Sequence, residues 1–429
     1  MVFYNSMHKN SFFNNHKIRF KNNNLRFLEF TKVWKSTKIG EIADIVGGGT
    51  PRTEVEEYWD GEIKWFTPSE IGKTKYIFDS KRHITDKGLK NSSAKLLPKD
   101  TILLSSRATV GEISIALTEC STNQGFQSLI TKNNVDNDFI YYLISTIKNE
   151  FLRRSSGSTF LEISKNEIKR IPINIPELSE QNKISNLFSA IDNKIEMLEK
   201  KHQYYQDFKK YLMQRIFSSQ DDKLRFDFKD TWDKVLLKDV AFIPKKTKLT
   251  NIEGLKLLTV KLHTKGIEIN DRIKPKLTKR GRPYYIRRSG ELLIGRQNFH
   301  NGGMGIVPKS LDEGICSNAI SSFNVFEDKI DVNYLYYFLA RPEYYIKSER
   351  LIGGTGQKEF SEKELLKLKI DLPSLEEQNK IVDFLSNIDH KIELSENQLN
   401  KTQEFKKGLL QQMFVVQLIL SLLQNKKHI

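Results

Sequence analysis

Cysteine is nearly absent from this chain. There are 2 in 429 residues, Cys120 and Cys316. Two are too few for a disulfide framework, and the cytoplasm is the compartment expected. They fall at related places in the two halves and read as small buried hydrophobes. The 8 histidines are scattered and make no HExxH or paired CxxC spacing, so no dedicated metal site is expected. Long apolar runs are also missing. VVQLILSLL at 415–423 is too short to span a bilayer. It reads either as a helix extension or as an altered reading frame at the end of the gene. Residues 1–24 are rich in Asn and Lys, lack the apolar stretch of a secretory signal, and are expected to be a poorly ordered lead-in.

Catalytic signatures are missing too. GGGTPR (47–52) and GGTGQKEF (353–360) are Gly-rich, but neither fits GxGxxG opening a helix. Gly72-Lys73-Thr74 imitates the end of a P-loop, yet the position five before Gly72 is Thr67. No NPPY-type methyltransferase motif and no S-adenosylmethionine loop are present. The expectation is that this chain itself catalyses nothing. Acidic residues are the minority charge. Lys plus Arg number 69 against 53 Asp plus Glu, a net charge of +16. A polyanionic partner, most simply nucleic acid, follows from that excess; a basic surface kept for solubility is the plainer reading.

What the chain does have is a repeat. IPELSEQNKI at 175–184 returns as LPSLEEQNKI at 372–381, a shift of 197 residues. SAIDNKIE (189–196) returns as SNIDHKIE (386–393), and QDFKKYLMQRIF (206–217) as QEFKKGLLQQMF (403–414), in the same register. A prelude of LRF plus a Trp also repeats, at Leu25–Trp34 and Leu224–Trp232. The segments between prelude and repeat diverge much further. Two like scaffolds carrying unlike domains suit recognition of two different things at a fixed separation.

From about 25 to 177 short β-rich runs alternate with Gly, Pro, Asn and Asp. EIKWFTP (62–68), TILLSS (101–106), ISIAL (113–117) and QSLITK (127–132) read as strands, and DNDFIYYLISTI (136–147) and the residues before Arg170 as helix. From Leu178 to Phe217 there is neither Gly nor Pro, and a heptad seam runs through Ile184, Phe188, Ile191, Ile195, Leu198, His202 and Tyr205. Ser374 and Glu377 are spaced as a capping box for the second copy. Its seam runs through Ile381, Leu385, Ile388, Ile392 and Leu399, then Phe405 and Leu409. Neither stripe is stable exposed. The simplest burial is each helix against the other, antiparallel; separate partners or pairing between chains are the alternatives. The expected organisation is a lead-in (1–24), a first variable domain (25–177), a helix (178–218), a second variable domain (224–373), a helix (374–414) and an atypical apolar tail (415–429). The fold class is α+β: two loop-rich α/β domains joined by two long helices packed as an antiparallel coiled coil, with a pseudo-twofold internal repeat.

DNA reading needs Lys and Arg for phosphates, and Arg, Lys, Asn and Gln on short loops for base edges. The first domain offers Arg52, Lys64, Lys73, Lys75, Arg82, Arg107, Asn123 and Gln124. The second offers Lys261, Lys279, Arg280, Arg282, Arg287, Arg288, Arg296, Gln297 and Asn298. Arg107 and Arg296–Asn298 stand out, because each follows a strand-like apolar run. Any one of these can equally be an ordinary solvated charge. Two further readings stay open: a coiled-coil scaffold with two protein-binding heads, or an enzyme.

With Pro176, Glu180-Gln181, Ile184 and Ile191-Asp192 repeated as Pro373, Glu377-Gln378, Ile381 and Ile388-Asp389, the chain resembles the specificity subunit of type I restriction-modification systems. GSTFLEISKNEIKRIPI (157–173), GTGQKEFSEKELLKLKI (354–370), residues 83–116 and NQGFQSLI (123–130) also look like that family. The likeness covers about 25–414; the lead-in and the tail depart from it. The resemblance implies two target recognition domains, each reading half of a split double-stranded DNA target. It implies a helix pair that fixes the spacer and docks two adenine-methylating modification subunits, joined by restriction (motor-nuclease) subunits. S-adenosylmethionine, ATP and Mg²⁺ would belong to those partners and not to this chain.

Overall fold

In the computed structural model, the described residues are 18–21, 24–157, 161–218, 223–277, 281–348 and 359–415. The calls on residues 1–17, on Lys279 and Arg280, and on the tail beyond Val415 lie outside them. The chain forms two compact units: residues 1–199 with 398–429, and residues 200–397.

The first unit opens with a hairpin of β1 (Ile18–Lys21) and β2 (Asn24–Phe27). The end of the segment read as a disordered lead-in is therefore a strand. Its Ile18 is buried, together with Leu25 and Phe27, in the core of the unit. β3 (Lys35–Lys38), β4 (Ala43–Gly47), β5 (Trp59–Phe66), β6 (Tyr76–Ile77) and β7 (Arg82–Ile84) follow. Then come β8 (Ile102–Leu104), β9 (Ile113–Ala116), β10 (Cys120–Thr122) and β11 (Gln127–Thr131). The runs read as strands at 101–106, 113–117 and 127–132 thus hold β8, β9 and β11, and the run at 62–68 covers the second half of β5. β8 and β9 are buried at every position; β8 is accordingly a continuous apolar run, and the one polar residue of β9, Ser114, donates its hydroxyl to the Thr74 carbonyl. Five strands form a sheet in the order β4-β11-β8-β9-β6, and three form another, β10-β5-β7.

Helix α1 (Asn137–Thr146) starts at Asp136, whose side chain accepts from the Phe139 N–H, and lays Phe139, Ile140, Leu143 and Ile144 into the core. After α2 (Lys148–Arg153) and α3 (Lys165–Arg170), β12 (Pro172–Ile175) pairs with β3. Helix α4 (Leu178–Ile216) then begins in this unit and ends in the second.

The second unit contains β13 (Asp233–Leu236), β14 (Ala241–Phe242), β15 (Leu258–Val260), β16 (Ile267–Ile269) and β17 (Tyr284–Ile286). β18 (Leu292–Gly295), β19 (Met304–Ile306), β20 (Ile315–Ser317) and β21 (Ile320–Val325) complete its main strands. Helices α5 (Val332–Leu339), α6 (Pro342–Ser348) and α7 (Glu362–Leu365) lead to β22 (Lys369–Leu372) and to α8 (Leu375–Leu410). Its sheet runs β14-β21-β18-β19, strand for strand the β4-β11-β8-β9 part of the first unit. β22 pairs with β13 as β12 pairs with β3. Two domains with little common sequence therefore keep one topology.

The helices pair antiparallel inside each unit. In the first, Ile184, Phe188 and Ile191 share a core with Leu409, Met413 and Phe414, while Asp192 meets Lys406 and Glu199 meets Gln403. In the second, Leu212 and Ile216 share a core with Ile381, Leu385 and Ile388, and Ile392 packs against it. His202 Nδ1 lies 2.9 Å from Ser395 Oγ. Ile195, Leu198 and Leu399 are only half-buried. Away from the domain cores a two-helix seam covers just one side of each side chain.

Candidate nucleic-acid interface

The repeated prelude and the repeated Glu-Gln act on each other. Arg26 grips the Glu180 carboxylate through Nε and Nη2, both at 2.6 Å, and Trp34 Nε1 donates to it at 3.3 Å. In the second unit Arg225 holds Glu377 at 2.7 and 3.0 Å, and Trp232 Nε1 donates at 3.0 Å. The neighbouring glutamine ties each long helix to its domain. Gln181 donates to the Pro176 carbonyl and accepts from the Asp136 N–H, the residue that caps α1. Gln378 does the same with Pro373 and Asp331, the cap of α5. These buried contacts fix where each sheet sits on its helix end.

In the first unit a set of loops gathers around the end of β8. The Gly-rich loop 47–52 packs against the turn after β10, and Gly49 N–H donates to Thr122 O at 2.8 Å. A Cβ at Gly48 would sit 2.1 Å from the Asn123 carbonyl oxygen, so these glycines serve close backbone approach. Asn123 Oδ1 accepts from Gly125 N–H, Gln124 accepts from Thr50, and Ser106 N–H donates to Gly125 O. Arg107 is next in the chain. Trp59 Nε1 donates to Arg52 O, Trp65 Nε1 to Gly49 O, and the Arg82 guanidinium lies 3.5 Å over the Trp59 ring. Arg52, Arg82, Arg107, Asn123 and Gln124, spread over the sequence, are thus linked through one loop cluster. Lys64 sits 4.5 Å over Phe78, and Lys73 is exposed.

Lys75 is elsewhere. Its Nζ lies 3.0 Å from Tyr142 Oη, Ser189 Oγ and Asp138 Oδ1, packed against the long helix. Burial lowers its pKa, opposed by Asp138. This lysine joins domain to helix.

In the second unit Arg296, Gln297 and Asn298 leave β18. Arg296 N–H donates to Ala319 O, and Asn298 O receives the turn that returns to β19. Tyr284 and Tyr285 on β17 pair with β20, and Arg282 is exposed beside them. Lys261 is matched to Glu268 at 2.9 Å and Arg288 to Glu313 at 2.7 Å, both near the surface. Arg287 is 2% exposed and donates Nη2 to the Ile320 carbonyl at 2.8 Å. A buried guanidinium spent on a strand carbonyl cannot reach a duplex, so this member of the basic run serves the fold.

Cys120 and Cys316 are both buried; burial pushes their thiols up to about 12 and about 11. Among the described residues no group of three or more His, Cys, Asp or Glu is placed to hold a metal ion, and no helix is long and apolar enough to cross a membrane. Sequence reasoning missed Glu162 and Glu359, which lie 2.8 Å from Arg107 and 2.5 Å from Arg296, and, in the helix seam, Ser395. The two glutamates carry a signal in the 197-residue register, which they obey; Ser395 is polar and escaped a search for apolar positions.

Residues 31–204 and 229–404 match the family of the type I restriction modification DNA specificity domain. The type I restriction enzyme MjaIX specificity subunit of Methanocaldococcus jannaschii is 40% identical over 176 residues, 40% of this chain and 41% of that protein. The chain thus spans about two fifths of that relative's length. The MjaVIII specificity subunit of the same organism is 25% identical over 401 residues, 88% of this chain and 91% of that one. In three dimensions the chain resembles the type I restriction-modification S subunit from M. genitalium, with a TM-score of 0.59 at 17% identity, covering 93% of this chain and 98% of the other.

Proposed function

Because the chain belongs to the type I restriction modification DNA specificity family, we propose that it is the subunit that chooses the DNA for a restriction-modification complex and performs no chemistry itself. Each domain reads one half of a bipartite double-stranded target. The paired helices set the unread spacer and dock two adenine-methylating modification subunits, to which motor-nuclease restriction subunits add. S-adenosylmethionine, ATP and Mg²⁺ are used by those partners in the cell's cytoplasm.

One observation carries this reading. Two units keep the same β4-β11-β8-β9 and β14-β21-β18-β19 order and the same Arg-Glu-Trp anchor, while the loops at the ends of β8 and β18 differ. Scaffolds held constant beneath changed loops suit two readers of different half-sites. The net charge of +16 supplies sequence-independent attraction to phosphates.

The test is selection from a DNA library by this chain assembled with its modification subunits. A split motif is expected. Exchanging residues 26–174 for those of a relative should change one half only, and four residues inserted between Leu198 and Tyr205 should change the spacer or abolish assembly. Capture without sequence preference at any salt concentration would reject the proposal.

A further inference from the structure

Arg107 and Arg296 lie one register step apart in the two sheets, past β8 and β18, and each meets a glutamate from the segment that enters a short helix. Arg107 Nε lies 2.8 Å from Glu162 Oε1, and Arg296 Nη2 lies 2.5 Å from Glu359 Oε1. The backbones are offset by one residue, Ser106 and not Arg107 standing where Arg296 does. Ile163 N–H donates to Ser106 O, and Phe360 N–H donates to Arg296 O. The glutamates keep the 197-residue offset of the long helices, but the arginines are 189 apart. The loops before them have changed length, and the pair has been rebuilt regardless.

An ion pair at a surface adds little to stability, so two copies retained for that purpose alone are hard to explain. Its geometry suits another purpose. Glu162 comes closest to Arg107 at Nε, so the terminal Nη groups are the part of the fork left for a further acceptor. That side chain is 46% exposed. Arg296 is half as exposed at 23%; its Nε is buried without a hydrogen-bond partner among the described residues, so only its terminal Nη groups can face DNA. An arginine that reads DNA presents two N–H groups of its fork at once, and the rotamer must be held for this to discriminate.

We propose that Glu162 and Glu359 are positioning residues, each clamping its arginine so that the remaining fork meets an acceptor pair on one DNA half-site. The acceptor is the N7/O6 edge of a guanine or a pair of phosphate oxygens. This rests on the reading of the two domains as DNA readers. The glutamates need not touch DNA.

The full chain, assembled with its modification subunits, is tested on DNA libraries randomised in one half-site at a time, with thermal melting followed in parallel. Glu162→Gln should weaken or relax the first domain's half-site on the order of tenfold and leave the other half as in wild type. Glu359→Gln should do the reverse. Loss confined to one base pair marks a guanine edge. Loss uniform over sequences, with a shallower salt dependence, marks phosphates. If Glu162→Gln unfolds, Glu162→Asp keeps the charge, moves it back and should give the same one-sided loss. The exchange R107E/E162R should restore melting but not the half-site. Recovery of selectivity by that exchange would show that the pair is merely a structural tie and overturn the inference. So would wild-type half-sites in both glutamine variants while Arg107→Ala loses its half. If Arg107→Ala and Arg296→Ala also leave both half-sites intact, neither arginine reads, and the inference falls while the two-reader function stands. Failure of the wild-type complex to select any sequence would take both down.

Discussion

Lys209 Nζ lies 2.5 Å from Asp389 Oδ1, one helix reaching across to the other, and Tyr337 Oη donates to the second carboxylate oxygen at 2.7 Å. The same three-way contact is made in the first unit by Lys406, Asp192 and Tyr142, whose hydroxyl also donates at 2.7 Å. Lys209 and Lys406 are 197 residues apart, as are the two aspartates. The Ile-Asp of the repeat is therefore a junction of helix, helix and domain. Replacing Asp389 by Asn should lower the unfolding free energy of the second unit by about 1–2 kcal/mol, since the groups are partly solvated and only a charge is removed. Asp192→Asn should do the same to the first. Urea unfolding followed by tryptophan fluorescence reads both; unchanged midpoints would mean the contacts contribute nothing.

The anchor glutamates should be more demanding. Glu180 and Arg26 are both buried, whereas Arg225 beside Glu377 keeps 23% of its side-chain exposure. Glu180→Gln strands a buried guanidinium and should cost about 3 kcal/mol or more; Glu377→Gln should cost less, because water reaches Arg225. Chemical denaturation of the two variants orders them, and equal losses would contradict the burial argument.

Lys223 gives a pH dependence. Its ammonium lies 2.9 Å from the centre of the Trp232 ring, and burial, aided by the Arg225 charge, lowers its pKa from 10.5 to about 8. The folded chain then loses this proton near pH 8, while the unfolded chain holds it to about 10.5. Between those values the unfolded state binds more protons, so stability rises with pH; below about 8 both states are charged and the slope vanishes. Melting temperatures from pH 7.5 upward should show this rise, and Lys223→Met should flatten it. A fall across the window in wild type, unaltered by the substitution, would refute the assignment.

In the second unit a polar pair, His202 and Ser395, sits in the helix seam. Ser395 donates to the Ile392 carbonyl, so His202 Nδ1–H donates to Ser395 Oγ and His202 Nε2 accepts from Gln206. At the 197-residue offset the counterparts are Leu399 and Leu198, both apolar. A polar contact in a helical seam selects register and partner. The double variant H202L/S395L should melt higher, by about 1 kcal/mol of added stability, and should form dimers as concentration rises. Sedimentation velocity reads the second effect; a strictly monomeric variant would show that the pair does not choose the partner.

The long helices were legible because they carry a seven-residue apolar rhythm, the first over forty residues without Gly or Pro, and β8 because a fully buried strand is apolar throughout. Long-range partners were not. Nothing local in Lys75 says that it folds onto Ser189, or in Arg287 that it faces the Ile320 carbonyl; a basic run looks alike whether its members point inward or outward. Arg107 and Glu162 are 55 residues apart in the chain, and only the fold makes them neighbours. The hairpin at Ile18 was hidden for a different reason: its apolar residues are few, and they are buried by elements elsewhere in the unit.

Phe405, Leu409, Met413 and Phe414 complete the core of the first unit, with the Phe414 ring 5.9 Å from Phe188 and 6.2 Å from Trp34. The core residues of the second unit, by contrast, all lie between Phe208 and Ile392. On the ribosome the usual order of maturation is therefore reversed: the domain translated first waits for the last helix, about 10–40 s at ~5–20 residues per second. During that interval its greasy floor is open to chaperones, and a message cut short before Phe405 yields a chain whose beginning, and not its end, is the part left unfinished.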